Sequence, residues 1–184
     1  MDIRLAGPGD VPAIMELEAR HYIGNLGESD RAEGFISILH PADWFHATVA
    51  GGGVHVGVTD AGVVAGFIAV TPAPPPSGAS VSPIIRAVLD LADTVEFNGR
   101  LVAQQRFAFR GPVLVDRSAR GKGLYSGFNH VTRQAYAGRF DIGVLFVSAD
   151  NPRSLHTATT KLGAQPLAVF DVDGSQYHFL AFTF

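Results

Sequence analysis

A chain of 184 residues, 47% hydrophobic and 17% charged, has the length of one domain and the apolar content of a packed globule, not of a disordered chain. Its 14 Lys and Arg against 17 Asp and Glu leave a net charge of −3, with no basic excess of the kind a dedicated nucleic-acid binder carries. Zero cysteines exclude disulfides, thiolate metal sites and a cysteine nucleophile; the unusual count is 21 glycines.

No apolar stretch approaches the ~20 residues of a spanning helix. Met1–Asp10 lacks the basic-then-apolar pattern of a signal peptide. The sequence therefore predicts a soluble, cytoplasmic protein with no membrane or nucleic-acid partner, folded as one domain over residues 1–184.

Ile3-Arg4-Leu5 alternates as a short strand. Asp10 reads as the N-cap of a helix with Pro12 in its first turn and Ile14, Leu17 and His21 on one face. Residues 22–34 are polar and Gly-rich and read as a loop, and Pro41 opens a helix over about 42–50 that Gly51-Gly52-Gly53 ends. Residues 54–58 and 63–70 are strands joined through Asp60-Ala61-Gly62 as an antiparallel hairpin. A proline-rich insert at about 71–83 is a connection, followed by an extra helix at about 84–94.

Arg106–Asp116 reads as a strand, with Gly111-Pro112 predicting a bulge or splay in its middle, because proline cannot donate to a ladder. A helix follows over about 123–137, with Leu124, Phe128, Val131 and Ala135 as its apolar stripe. Ile142–Ser148 is a buried-type strand. Asn151-Pro152 then caps a helix carrying Leu155, Ala158 and Leu162 and closed by Gly163. Strands over 167–172 and 176–184 flank the turn dipeptide Asp173-Gly174. Hairpins mixed with strand–helix–strand crossovers predict an α/β sheet covered by helices.

The segment from Val113 to Tyr125 carries the chemistry. An apolar strand, Val113-Leu114-Val115, runs into Asp116-Arg117-Ser118-Ala119-Arg120-Gly121-Lys122-Gly123, and the turn opens a helix. Glycines let backbone approach a ligand, the first helical N–H groups point outward, and the helix dipole favours an anion. Arg117, Arg120 and Lys122 concentrate positive charge in a net acidic chain, as a pyrophosphate site requires. A nucleotide P-loop is excluded by the spacing and by the missing hydroxyl after Gly121-Lys122. A dinucleotide fingerprint is excluded because residue 126 is Ser, not Gly.

Arg120-Gly121-Lys122-Gly123-Leu124, in a strand–turn–helix context, resembles the acyl-coenzyme A motif [QR]-x-x-G-x-[GA] of the GCN5-related N-acetyltransferase (GNAT) family, with Tyr125 departing from its sixth position. Asn151 and the Lys161-Leu162-Gly163 ending are similar to that family as well. The resemblance implies a mixed, mostly antiparallel sheet of about seven strands flanked by helices. It implies acetyl-CoA as cosubstrate and no metal, with a small-molecule or peptide amine as acceptor; homodimerisation stays open. It further implies that backbone groups of Leu114 and Val115 pair with the pantetheine arm, and that amides from Arg120 through Gly121, Lys122, Gly123, Leu124 and Tyr125 to Ser126 hold the pyrophosphate. Asn151 would contact the cofactor or a water near the thioester, and an N–H near Val115 would stabilise the oxyanion.

The same resemblance leaves the proton chemistry open. The family's usual Tyr acid falls on Ala158, with His156 on another helical face, and its strand base falls on Phe109 and Gly111. A base from Glu28, Asp30 or Glu33, a base from His55, an acceptor amine of low pKa, and a non-catalytic acyl-CoA-binding module are the alternatives. His40 and His46, six apart, do not share a helical face and predict no metal pair. Asp171-Val172-Asp173-Gly174 lacks the remaining ligands of a calcium loop and reads as a turn.

Overall fold

The computed structural model describes residues 1–75 and 81–184; the central part of the proline-rich insert lies outside the described residues. In chain order the elements are β1 (Asp2–Leu5), α1 (Val11–Arg20), α2 (Glu28–Arg31), α3 (Ala42–Ala50), β2 (Val54–Val58), β3 (Val64–Pro72), α4 (Pro83–Ala92), β4 (Glu96–Phe97), β5 (Arg100–Leu101), β6 (Phe107–Val115), α5 (Leu124–Tyr136), β7 (Ile142–Ser148), α6 (Pro152–Thr157), β8 (Gln165–Val172) and β9 (Ser175–Thr183). Hydrogen bonding orders seven strands as β1-β2-β3-β6-β7-β9-β8. The β1/β2, β2/β3, β7/β9 and β8/β9 pairs are antiparallel, and β6/β7 is parallel. This is the mixed, mostly antiparallel sheet with flanking helices that the resemblance implied.

The chain divides into two compact units, Met1–Val70 with Arg110–Thr132, and Thr71–Phe109 with Arg133–Phe184. In the first, α1 and α3 turn Val11, Ile14, Leu17, Phe45 and Val49 onto a sheet face made by Val54, Val56, Phe67, Ala69 and Leu114. The face predicted for α1 is buried, His21 included. Asp10 stands at the N-cap position, but its carboxylate accepts from Arg4 and from the Gly7 N–H and does not cap the helix.

On the opposite sheet face Leu124 and Phe128 of α5 pack with Ala65, Ile68 and Ala119. Their seat is made of glycine. Gly57 of β2 pairs with Gly66 of β3. A Cβ on Gly57 would stand 2.3 Å from Leu124 Cδ1, and one on Gly66 would stand 2.7 Å from the Leu114 carbonyl oxygen and 3.0 Å from Leu124 Cδ2. Gly127 of α5 is met in the same way by Ile3, at 2.4 Å. Two cross-strand glycines thus open a groove in which the first residue of α5 lies. The buried stripe of α5 is Leu124, Phe128, Thr132 and Tyr136, a strict i, i+4 row, with Asn129 beside it. Val131 is half-buried and Ala135 exposed, so the stripe is rotated from the predicted one. Thr132 satisfies its hydroxyl within the helix by donating to the Phe128 carbonyl at 2.7 Å, which makes a polar residue compatible with burial.

Gly111, at φ +147°, resets the alternation of β6. Arg110 faces Tyr125 and Asn129 of α5, while Val113 and Val115 also pack on the α5 side. Unbroken alternation would send residues 110 and 113 to opposite faces. The irregularity predicted at Gly111-Pro112 is present.

In the second unit Leu145, Val147, Ala158, Leu162, Ala164, Leu180 and Phe182 form one core cluster. α4 begins at Pro83 and is capped by Ser82, whose side chain accepts from the Ile85 N–H. The helix after Asn151 is α-helical only to Thr157 and continues as a π-helical segment, Ala158–Leu162, closed by Gly163 at φ +78°. β8 begins two residues earlier than predicted, at Gln165. A two-stranded ribbon, β4/β5, occupies a stretch too short for hydrophobic periodicity to register. Its turn, Asn98-Gly99, takes positive φ at both residues, the conformation that dipeptide favours in two-residue hairpins.

Candidate functional site

β6 delivers the chain to Asp116, whose N–H donates to the Ala65 carbonyl of β3 at 2.8 Å. Successive strand residues point their N–H and C=O groups to opposite edges. The backbone groups of Leu114 therefore address β3, and those of Val113 and Val115 address the other edge. Of the two residues expected to pair with a pantetheine arm, Val115 presents its N–H outward and Leu114 does not.

A short 3-10 turn, Arg117–Ala119, follows, fixed by Asp116, which accepts from the Ser118 N–H at 2.9 Å and from the Ser118 hydroxyl at 2.6 Å. Burial pushes the Asp116 carboxyl up, but the two Ser118 hydrogen bonds, Arg20 and His21 outweigh it and hold it below its ordinary value. Gly121 and Gly123 then adopt φ +74° and +82°, a conformation that side chains with a Cβ disfavour. Among the described residues, a Cβ at either position would meet nothing within 4 Å, so both glycines border open space there.

The first hydrogen bond at the start of α5 runs from the Gly127 N–H to the Gly123 carbonyl, 2.9 Å. The amides before it belong to the first turn, which the helical ladder leaves for an external acceptor. Leu124 is buried in the glycine groove, Ser126 is exposed, and the Tyr125 ring turns to the Arg110 guanidinium, 5.2 Å from the ring centroid. Arg110, 3% exposed, donates to Asn129 Oδ1 at 2.6 Å. This set, with Arg110 and Asn129 buried and Tyr125 half-buried over them, escapes the sequence reading; its signal is a lone arginine inside an apolar strand.

The three cations of the turn differ. Lys122 is exposed, and no ion pair holds it among the described residues. Arg117 donates to Asp30 Oδ1 at 2.8 Å and to the Asp30 carbonyl at 3.3 Å. Arg120 donates through Nε to the Val115 carbonyl at 3.2 Å, and through Nη1 to the Glu33 carbonyl at 2.9 Å and to Glu33 Oε2 at 3.1 Å. Two of the carboxylates considered as bases are thus engaged by two of the cations considered for phosphate. At the same place Asp116 Oδ2 lies 3.6 Å from Arg20 Nη1 and 3.8 Å from His21 Nε2. Burial, then Arg120, lowers the His21 pKa.

Asn151 lies in the second unit, 3% exposed, where its side chain accepts from the Ser154 N–H at 3.1 Å and caps α6. Ala158 is 2% exposed in the core of that unit, while His156 is exposed. His55 is buried on β2 between Leu5 and Ile68, its Nδ1 without a hydrogen-bond partner among the described residues. His40 does not meet His46; its Nδ1 lies 2.7 Å from the buried Glu18 carboxylate, a pairing across 22 residues that no local pattern announces.

Solved structures share this fold. They include a GNAT-family acetyltransferase from Streptococcus agalactiae, 18% identical, covering 99% of this chain and 94% of that one with a TM-score of 0.67. A ribosomal-protein-alanine N-acetyltransferase from Brucella melitensis is 17% identical, covering 100% of both chains with a TM-score of 0.62. A putative acetyltransferase from Salmonella typhimurium, solved with its cofactor acetyl-CoA, is 18% identical, covering 100% of this chain and 93% of that one with a TM-score of 0.60. No family model matches the sequence, and no curated protein matches it. The fold of this chain is that of the GNAT acetyltransferases.

Proposed function

We propose that the protein is an acyl-CoA-dependent N-acetyltransferase, with residues 1–184 acting as one acyltransferase domain in the cytoplasm. The observation that carries the reading is the cradle: two glycines at positive φ bordering open space, at the mouth of a helix N-terminus, directly after a strand of GNAT topology. The solved neighbour from Salmonella typhimurium has acetyl-CoA as its cofactor, and these residues suit the same ligand. Of the amides from Arg120 to Ser126, that of Arg120 already donates to the Arg117 carbonyl at 3.3 Å; those from Gly121 to Ser126 would hold the pyrophosphate, with Lys122 adding charge from the solvent side. Val115, and Val113 in place of Leu114, would meet the pantetheine arm along the outer edge of β6. Asn151 remains a proposed cofactor contact.

Acetyl-CoA supplies an activated thioester. The nitrogen of a primary amine bound beside it would attack the thioester carbonyl carbon, forming the C–N bond. The C–S bond breaks, coenzyme A leaves as the thiolate, and the proton lost by the amine ends on that thiol, with orientation of the two reactants contributing most of the acceleration. The positions where the family carries its acid and its strand base hold Ala158, Phe109 and Gly111. This favours an acceptor amine of low pKa, such as an α-amino group near ~8, over a lysine near ~10.4. Homodimerisation is left to solution measurement. Ala158 favours a second reading, an acyl-CoA-binding module without transfer, because the family's acid position is packed into core. Release of free thiol from acetyl-CoA with a panel of α-amino and ε-amino acceptors tests both. Turnover with any acceptor rejects the binding-only reading. Absence of coenzyme A binding by calorimetry overturns both.

A further inference from the structure

The cradle's two arginines are occupied. Arg117 uses both Nη atoms on Asp30, one on the carboxylate and one on the carbonyl. Arg120 uses Nε on the Val115 carbonyl and Nη1 on the carboxylate and carbonyl of Glu33. A guanidinium grips a phosphate through one of two edges, Nη1–Nη2 or Nε–Nη2. On each arginine both edges include a nitrogen already engaged. Asp30 ends the short helix α2 with Arg31, and Glu33 follows two residues on, so both carboxylates sit on one strap, residues 28–33. Arg117, Asp30 and Glu33 are each more than 40% exposed, and Arg120 is 22% exposed; pairs open to solvent on at least one side exchange at small cost.

We propose that Asp30 and Glu33 are autoinhibitory ligands of the cradle: the strap and a phosphate-bearing cofactor compete for Arg117 and Arg120, so that binding the cofactor's pyrophosphate undocks residues 28–33. The inference rests on the cofactor reading above and adds a regulation to it. With the strap docked, the two carboxylates cancel the two arginines, and Lys122 is the turn's remaining cation, set against Asp116. The full attraction for a pyrophosphate is realised only when the strap releases. Thermodynamic linkage makes the relation reciprocal: whatever stabilises the docked strap weakens phosphate binding by the same factor. The strap follows α1 after a 3-10 turn at Ile23–Asn25 and carries the acidic side chains of the 22–34 loop.

Hydrogen–deuterium exchange of the full chain tests this, with coenzyme A, pantetheine and inorganic pyrophosphate as separate probes. Coenzyme A and pyrophosphate are expected to raise exchange over residues 22–34 at least threefold, and pantetheine, which lacks the pyrophosphate, to leave it unchanged. A strap unchanged or more protected with coenzyme A bound overturns the proposal and leaves the proposed function standing. If coenzyme A does not bind, the proposed function fails, and the pyrophosphate arm decides the competition alone. If neither ligand binds, both fail. In a second measurement, Asp30→Asn with Glu33→Gln is expected to tighten coenzyme A binding at least threefold at low salt, the gain shrinking at high salt, with pantetheine unaffected. Weaker binding of coenzyme A by this variant overturns the proposal.

Discussion

The carboxylate of Glu18, 1% exposed on α1, is held at both oxygens by His40, which places Nδ1 2.7 Å from Oε1 and its backbone N–H 3.0 Å from Oε2. His40 in turn stacks on Trp44, with ring centroids 4.1 Å apart, so the pair pins the approach to α3 onto α1. Removing one partner of a buried pair leaves an uncompensated charge. His40→Ala is therefore expected to cost about 3 kcal/mol, read from the midpoint of urea unfolding. Glu18→Gln, which keeps an acceptor for the N–H, should cost less.

The glycine groove under α5 makes a sharper demand. Gly66→Ala places a methyl group against the Leu114 carbonyl, a backbone atom that cannot swing aside. Overpacking of this kind costs about 1–3 kcal/mol, and here it lifts the start of α5. Gly9→Ala, where a Cβ meets nothing within 4 Å, is the matched control and should leave unfolding unchanged.

Gly123→Ala separates backbone conformation from space. The methyl group has room, but φ +82° is unfavourable for alanine. The expected cost is about 1 kcal/mol in stability, with at least a tenfold loss of coenzyme A affinity as the turn relaxes away from its anion-binding shape. Isothermal titration with coenzyme A, beside a thermal melt of the free protein, reads the two effects separately.

Acid should weaken the fold through two histidines. His55 is lowered by burial, and His21 by burial and then by Arg120. A histidine whose folded pKa is depressed binds fewer protons folded than unfolded, so its contribution is complete above the unfolded value near ~6.5 and is lost as pH falls below it. Stability from urea titrations is expected to fall between pH 7.5 and 5.5. His55→Leu should flatten that slope, since Nδ1 already lacks a partner and a neutral side chain fits the site.

Much of the architecture was legible because its signals are local. The buried strand over 142–148, the hairpin closed by Gly62, the stop at Gly163 and the irregularity at Gly111 each depend on residues within a few positions of one another. The cradle was legible for the same reason, since Arg120 to Gly123 are contiguous. The α5 stripe was misplaced because a buried threonine bonded to its own helix is indistinguishable in sequence from an exposed one. The Asn98-Gly99 turn was available as a dipeptide, but its two-residue strands have no period to support it.

The sequence by itself determined the class of fold, the position of a basic, glycine-bearing turn at a helix start and the absence of cysteine chemistry, because composition, contiguous motifs and short-range periodicity carry those properties. The tertiary structure decided what each side chain does there. The glycines at 57 and 66 are far from the cradle in sequence, yet they seat the helix that forms it. The acids at 30 and 33 look like loop solvation until folding sets them on Arg117 and Arg120, 87 residues away in each case. Such contacts arise only when the chain closes on itself, and no local pattern encodes which charge will find which partner.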